Sequence, residues 1–325
     1  MSTYFSISGG RINYVSSDPS NPITGQIWYN YTSAALKFQG VTTVGTFASG
    51  GNLGSGGYAF GYAGTQTAGL LAGGYTGSYN GNSATYNGTA WTSIPASCPN
   101  QAYHAGAGVQ TAAIFTGGYN GSSDTNAVNY FNGSTFSSQT VIPSARANMA
   151  AAGTQTSSLI FGGGAGYLTT TNEWDGSSWT VGGSLNTGRQ QLGGSGTQTA
   201  ALAFGGVTPS ATGATELYNG TSWTSNPTGL NTARGQGAGY GTQSSSGFFG
   251  GGPPGSAPTN GIKAEVWNGT TWTSNPNNMP TALNQHRGCG TVAEGLSWGG
   301  SPGLSNVTLE FTGPGVAETR TVTVS

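Results

Sequence analysis

Six times in this chain a glycine opens a short polar turn, and nine residues later a second glycine begins a Gly-Gly pair. The turn glycines are Gly64, Gly108, Gly153, Gly196, Gly241 and Gly290, and their partners are Gly73, Gly117, Gly162, Gly205, Gly250 and Gly299. Successive copies lie 44, 45, 43, 45 and 49 residues apart. A period of this size identifies a repeat architecture, in which each copy is one supersecondary unit that buries its faces only against its neighbours. Function is then expected on the surface that the repeats build.

The fourth copy shows the pattern best. A Gly- and Ala-rich segment precedes the turn glycine, as Ala150-Ala151-Ala152 does in copy three, and small residues suit an inner strand where neighbours crowd. The next run, Ala200-Ala201-Leu202-Ala203-Phe204, is apolar enough for a buried second strand, and the Gly-Gly pair ends it. A third strand ends in an aromatic: Tyr86, Phe131, Trp174, Tyr218, Trp267 and Phe311. Asn-Gly or Asp-Gly follows the first five, a hairpin signal. Five residues after each of those five comes another aromatic: Trp91, Phe136, Trp179, Trp223 and Trp272. Four antiparallel strands per copy, radially packed, is the β-propeller solution.

Composition removes several function classes. Charged residues are 5% of the chain against a usual quarter, and the net charge is -1 with eight scattered basic residues, so no footprint for nucleic acid exists. No apolar run approaches the 18 residues of a membrane span, and membrane insertion is not expected. Sixty glycines would suit disorder, but aromatics at 11%, placed periodically, argue for a packed protein. Cys98 and Cys289, the only cysteines, form no disulfide framework and read as two buried thiols, with a single bridge between them the competing reading.

The repeat resembles the kelch repeat of kelch and galactose-oxidase-like propellers. The resemblance rests on the Gly-Gly pair, on Glu216-Leu217-Tyr218 and Glu265-Val266-Trp267 in the third strand, and on the Trp five residues later. It also includes an Arg seven residues before the turn glycine, at Arg146, Arg189 and Arg234. It covers about residues 44 to 313. It implies an all-β fold, a six-bladed kelch-like β-propeller over residues 44–315. Two segments could close the sixth blade: residues 44–50, where Phe47 stands where an outer aromatic belongs, and Thr319–Val324. The first is the expected one, leaving 316–325 as a C-terminal strand.

Residues 1–43 carry a different signal, a short N-terminal β-hairpin of Gln26–Asn30 and Ala35–Gln39. Pro22, Gly25 and Ile27-Trp28-Tyr29-Asn30, followed by Leu36-Lys37, look like a segment recurrent in bacteriophage tail and fibre proteins. Gly/Ser/Thr/Asn-rich kelch-like arrays with a Gly-Thr-Gln-Thr-Ala turn are similar to those of marine phage (cyanophage-type) virion proteins. An ordinary hairpin capping the propeller is the competing reading. The resemblance implies a virion structural protein of a tail, fibre or head surface, assembled in the host cytoplasm and present in many copies or as a homo-oligomer. It would be attached to other virion proteins through residues 1–43.

The intervals within each copy are nearly invariant except one: from the second Gly of the pair to the third-strand aromatic is 12, 13, 11, 12, 16 and 11 residues. One face of the ring therefore carries the variable loops, where binding function concentrates. Tyr75, Tyr79, Tyr119 and Tyr167 lie in those loops among Asn80, Asn82, Asn120 and Asp124, a set that suits a host-surface glycan. The competing reading is that these rings only pack the loops. His104 and His286 occupy one repeat position, otherwise held by Phe60, Met149, Leu192 and Gly237, which points to packing. Glu173, Glu216, Glu265 and Glu310 recur in register with Arg146, Arg189 and Arg234, which points to Arg–Glu pairing across blades. No catalytic set, metal site or cofactor is expected, and the chain reads as non-enzymatic. A decoration protein without ligand and a polysaccharide-acting enzyme are the alternatives.

Overall fold

The computed structural model describes residues 12–20, 22–23, 25–41, 44–252, 261–314 and 317–322. Those residues are strands, turns and loops without a helix, forming seven four-stranded sheets in a β-propeller-like arrangement. The chain divides into two compact units, Gly45–Thr312 and a smaller one made of Met1–Val44 with Gly313–Ser325. The sequence repeat predicts six four-stranded sheets, and six lie in the larger unit; the seventh corrects the count. It is built from both chain ends, which carry no copy of the repeat.

In the smaller unit the expected hairpin forms, pairing Ile27–Asn30 with Ala35–Val41. It does not stand alone: Asn13–Val15 adds in parallel on one side and Ala317–Thr321 antiparallel on the other. Asp18 ties the hairpin together. Its Oδ1 accepts from Trp28 Nε1 (3.0 Å) and Asn30 Nδ2 (2.8 Å), and its Oδ2 accepts from Lys37 Nζ (2.7 Å). These hydrogen bonds, Asn30 first and Lys37 next, hold the Asp18 carboxyl down at about 2. The Trp-Tyr-Asn and Leu-Lys residues are thus used in folding this sheet.

In the larger unit, copies one to five each supply an inner strand, a second, a third and an outer one, and copy six the first three, all antiparallel. The inner strands are Gly61–Thr65, Ala105–Val109, Ala150–Gly153, Gly193–Gly196, Ala238–Thr242 and Arg287–Gly290, each beside the next and the sixth beside the first. The outer strand of the sixth sheet is Thr46–Ser49, with Phe47 opposite Phe311 as Trp223 is opposite Tyr218. Residues 319–322, the described part of the other closing segment, bond in the smaller unit instead: 319–321 pair as a strand and the Val322 N–H donates to the Leu36 carbonyl.

Why the copies look as they do follows from two crowded places. On the axis, a Cβ at Gly106 would lie 2.1 Å from the Tyr62 carbonyl oxygen, so no side chain fits. In the turns, the six turn glycines have φ between +101° and +127°, and a Cβ at Gly196 would meet the Ala200 carbonyl oxygen at 2.2 Å. The glutamine two residues on has a separate task. Gln155 Nε2 donates to the carbonyls of Ala113 (3.0 Å) and Phe131 (2.8 Å) in the preceding sheet. Gln66, Gln110, Gln198 and Gln243 repeat this double bond; the sixth copy carries Val292 there.

At the other end of the inner strands the sheets are joined by a closed ring of backbone hydrogen bonds. The Tyr103 N–H donates to the Ala59 carbonyl, Asn148 to Tyr103, Gln191 to Asn148, Gln236 to Gln191, Gln285 to Gln236 and Ala59 to Gln285, all between 2.7 and 2.9 Å. All six residues stand five positions before a turn glycine, with left-handed φ between +55° and +64°. Non-glycine residues rarely occupy that region, and its cost is offset here because each twist aims an N–H at the neighbouring repeat.

Two substitutions test these contacts. Gly196→Ala should lower the unfolding free energy by about 2–4 kcal/mol, since it adds left-handed strain to a backbone clash. Gln155→Ala, which strands two carbonyls, should cost about 1–3 kcal/mol. Urea unfolding of the full chain measures both, and an unchanged midpoint for either would refute the corresponding contact.

Candidate functional site

The loops between second and third strands dock onto the connections that enter the inner strands. Tyr58 and Tyr75 exchange backbone hydrogen bonds (3.1 and 3.0 Å), as do Ala102 and Tyr119 (2.9 and 2.8 Å). Equivalent bridges join Gln190 to Val207, Gly235 to Gly252 and Asn284 to Ser301. Variable loops and connections therefore share one face, the face that also bears the backbone ring.

On that face, in copies one and two, five tyrosines form an unbroken row. Ring centroids are 5.1 Å apart for Tyr58–Tyr75 (stacked), 5.1 Å for Tyr75–Tyr79 and 5.4 Å for Tyr79–Tyr119 (both edge-on), and 6.4 Å for Tyr58–Tyr103. All five are half-buried rather than fully exposed. Burial raises the phenols of Tyr58, Tyr79 and Tyr103, with neighbouring tyrosine hydroxyls adding to it, so all three stay neutral near pH 7. The loops beneath are held by Asx contacts: Asn120 Oδ1 accepts from the N–H groups of Ser122 (2.9 Å) and Ser123 (3.0 Å), and Asn80 Oδ1 from that of Asn82 (3.0 Å).

Three of the four tyrosines expected from the sequence are thus brought together. Tyr167 is not; it sits in copy three with left-handed φ of +53° and no ring partner among the described residues. Sequence reasoning missed Tyr58 and Tyr103, which lie in the connections rather than the variable loops. The signal was available: they stand six and five residues before turn glycines, where other copies carry amides or small residues. Most of the longest variable loop, residues 253–260 of copy five, lies outside the described residues.

Close to Tyr103 the axis holds one more polar group. Arg287 extends from the sixth inner strand among Tyr62, Asn148 and Gln191, and Nη1 donates to the His286 carbonyl at 3.2 Å. Among the described residues it has no carboxylate partner. Burial lowers its pKa, while Tyr62 and Tyr103 act in the other direction.

The repeat-locked charges are structural, and their pairing differs from the sequence expectation. Arg189 pairs with Glu216 and Arg234 with Glu265, each within one repeat rather than across blades, and all four are buried. The Glu216 carboxylate also accepts the N–H groups of Asn186 (2.7 Å) and Thr187 (3.2 Å). Arg146 has no glutamate; it donates to Asn172 Oδ1 (2.5 Å) and the Thr170 carbonyl (3.2 Å). Glu173 and Glu310, one position nearer the aromatic, do reach across: each accepts the hydroxyl of the next sheet's tyrosine, Tyr218 and Tyr86.

His104 and His286 are buried at 1% and 0% exposure, without a hydrogen bond to either ring nitrogen. A Cβ on Gly61 would lie 2.0 Å from His104 Nε2, so the glycine makes room for the ring. Cys98 and Cys289 are free and buried; burial pushes the Cys98 thiol up to about 12 and Cys289 higher still. No cluster of three or more His, Cys, Asp or Glu side chains that could hold a metal occurs among the described residues.

Desolvation, reinforced by the Arg287 cation, holds both imidazoles down at about 3. An unfolded-state histidine binds its proton near pH 6.5, so the fold's stability is full above that pH and falls as pH drops toward 3. Each should contribute a loss of about 2 kcal/mol between pH 7.5 and pH 5. A His104→Leu/His286→Leu chain, with the residue that copy four carries, should lose about 4 kcal/mol less over that interval. Urea unfolding at the two pH values measures this, and equal losses in both chains would contradict the buried neutral imidazoles.

No protein-family model matches the chain, and no curated protein matches it in sequence.

Proposed function

We propose that the protein is a non-enzymatic bacteriophage virion component whose larger unit is a six-bladed kelch-like propeller presenting a glycan-binding face. The observation that carries the binding role is the row of Tyr58, Tyr75, Tyr79, Tyr103 and Tyr119 on the loop face. Half-exposed phenol rings offer apolar surface to the C–H face of a sugar, and their hydroxyls bond its hydroxyl groups. Rigid aromatics lose little entropy on binding. The almost uncharged chain favours a neutral, hydroxyl-rich partner over a charged polymer.

The virion setting is supported by the resemblance of residues 22–37 to phage tail and fibre segments. In this reading the smaller unit holds other virion proteins and the loop face turns outward. Individual contacts with a surface glycan would be weak, and many copies on one particle would raise the effective affinity. The tail, the fibre and the head surface all offer such a setting.

Full-length protein should bind cells of a susceptible host, and Tyr79→Ala/Tyr119→Ala should weaken that binding at least about tenfold. Circular dichroism and melting would verify that the variant stays folded, since both positions are in loops. Unchanged cell binding by the folded variant would reject the tyrosine row as the binding surface. Virions lacking the protein that adsorb normally yet fall apart on mild heating would replace the glycan role with a purely structural one.

A further inference from the structure

The six copies act as internal controls for one another at a single buried slot. It lies between the residue seven positions before the turn glycine and the residue two positions before the third-strand aromatic. Copies four and five fill it with Arg189–Glu216 and Arg234–Glu265. Copy three uses Arg146 and Asn172, copy two Gln101 and Asn129, and copy six Leu283 and Leu309. In copy one the two positions are Gly57 and Ala84.

There the Ala84 side of the slot opens on a cavity of about 440 Å³, within the range of small-molecule sites, while the Gly57 side is packed against Phe60, Tyr75 and Thr76. Its walls are the register equivalents of the filled slot: Leu53, Gly54, Ser55 and Ala84 stand where Leu185, Asn186, Thr187 and Glu216 stand in copy four. In copy four the Asn186 and Thr187 N–H groups are taken by the Glu216 carboxylate, and copy five repeats this with Asn231, Thr232 and Glu265. Among the described residues the matching N–H groups of Gly54 and Ser55, both exposed, have no acceptor.

We propose that this cavity is a binding site for a neutral pyranose, which supplies the acceptor oxygen that Glu216 and Glu265 supply in copies four and five. Trp91 also lines the cavity; its Nε1 is committed to Thr308 Oγ1 (2.9 Å) and its ring packs against Tyr86 and edge-on to Trp298 (both 5.1 Å), so what it turns to the cavity is apolar ring surface. Among the described residues the Ser93 and Ser97 hydroxyls and the Asn82 carboxamide, on the rim, have no hydrogen-bond partner. Hydroxyls, an amide and two open N–H groups around an indole suit the alternating polar and apolar faces of a sugar ring. A carboxylate-bearing sugar fits less well. In copies four and five the carboxylate is neutralised by a buried arginine, and Gly57 removes that arginine here. The loop of residues 74–82 turns Tyr75 and Tyr79 to the tyrosine row and Thr76 and Asn80 to the cavity. This site deepens the glycan reading, on which it rests.

The test uses the full chain and three methyl glycosides, of glucose, N-acetylglucosamine and glucuronic acid, followed by ligand-observed NMR titration. Two variants close the cavity with residues the fold already accepts or mimics: Ala84→Leu, as Leu309 in copy six, and Ala84→Gln, whose carboxamide reaches the two N–H groups. The wild type should bind a neutral glycoside, and both folded Ala84 variants should bind it at least about tenfold more weakly. Unchanged binding in the Ala84 variants, or binding of the glucuronide alone, would overturn the site. If no glycoside binds while host-cell binding persists and depends on Tyr79 and Tyr119, the cavity proposal falls and the glycan reading stands. If cell binding is absent too, both fall.

Discussion

The larger unit depends on the closed ring of backbone hydrogen bonds that links Ala59, Tyr103, Asn148, Gln191, Gln236 and Gln285. A ring of this kind cannot be satisfied in part: each residue is donor to one repeat and acceptor from the other, so removing one copy leaves two backbone groups unpaired. It also sets the spacing at the axis. Six inner strands drawn that close leave little room for side chains, which is why Gly and Ala dominate them. The aromatic exceptions, Tyr62 and Tyr240, reach into space left by neighbouring glycines, as Tyr240 does over Gly295.

Away from the ring, contacts of three kinds hold the larger unit, two between neighbouring sheets and one within a repeat. The turn glutamines bridge to the preceding sheet on one face. Outer tryptophans reach back to a threonine in the third strand of the sheet before, Trp223 to Thr171 and Trp272 to Thr215 (both 2.9 Å). Between them the slot beside the third strand is filled by a different pair in almost every copy. The glutamine bridge recurs in copies one to five, and the tryptophan–threonine contact in copies one, four and five. The slot varies because its volume can be filled by an ion pair, by amides or by leucines. An unfilled slot can then persist in copy one without loosening the ring.

The same division governs what a binding surface can be built from. Tight turns on one face are consumed by the inter-sheet glutamine contacts and leave no freedom for recognition. The opposite face carries loops whose own backbone is anchored by bridges to the connections, such as Tyr58 to Tyr75. Their side chains are released from structural work. That is where the tyrosine row and the cavity of copy one lie, on two sides of one loop.

Much of this architecture was legible in the chain. Glycine and aromatic spacings gave four strands per copy, the antiparallel order and Phe47 as an outer-strand residue, because a period of about 45 residues repeats the same steric demands at the same positions. The sequence by itself also separated an invariant face from a variable one. It could not reveal that the chain ends join into a seventh sheet, since Asn13–Val15 and Ala317–Thr321 share no periodic signal. It misassigned the Arg–Glu partners, because a one-residue offset in a strand turns a glutamate to the other side: Glu216 faces its own repeat and Glu173 the next. Only the tertiary structure decided which tyrosines meet and which slot stays open. Both depend on residues from different segments arriving at one place, Tyr58 and Tyr103 beside the loops, Gly54 and Ser55 beside Ala84, and a linear pattern carries no record of that meeting.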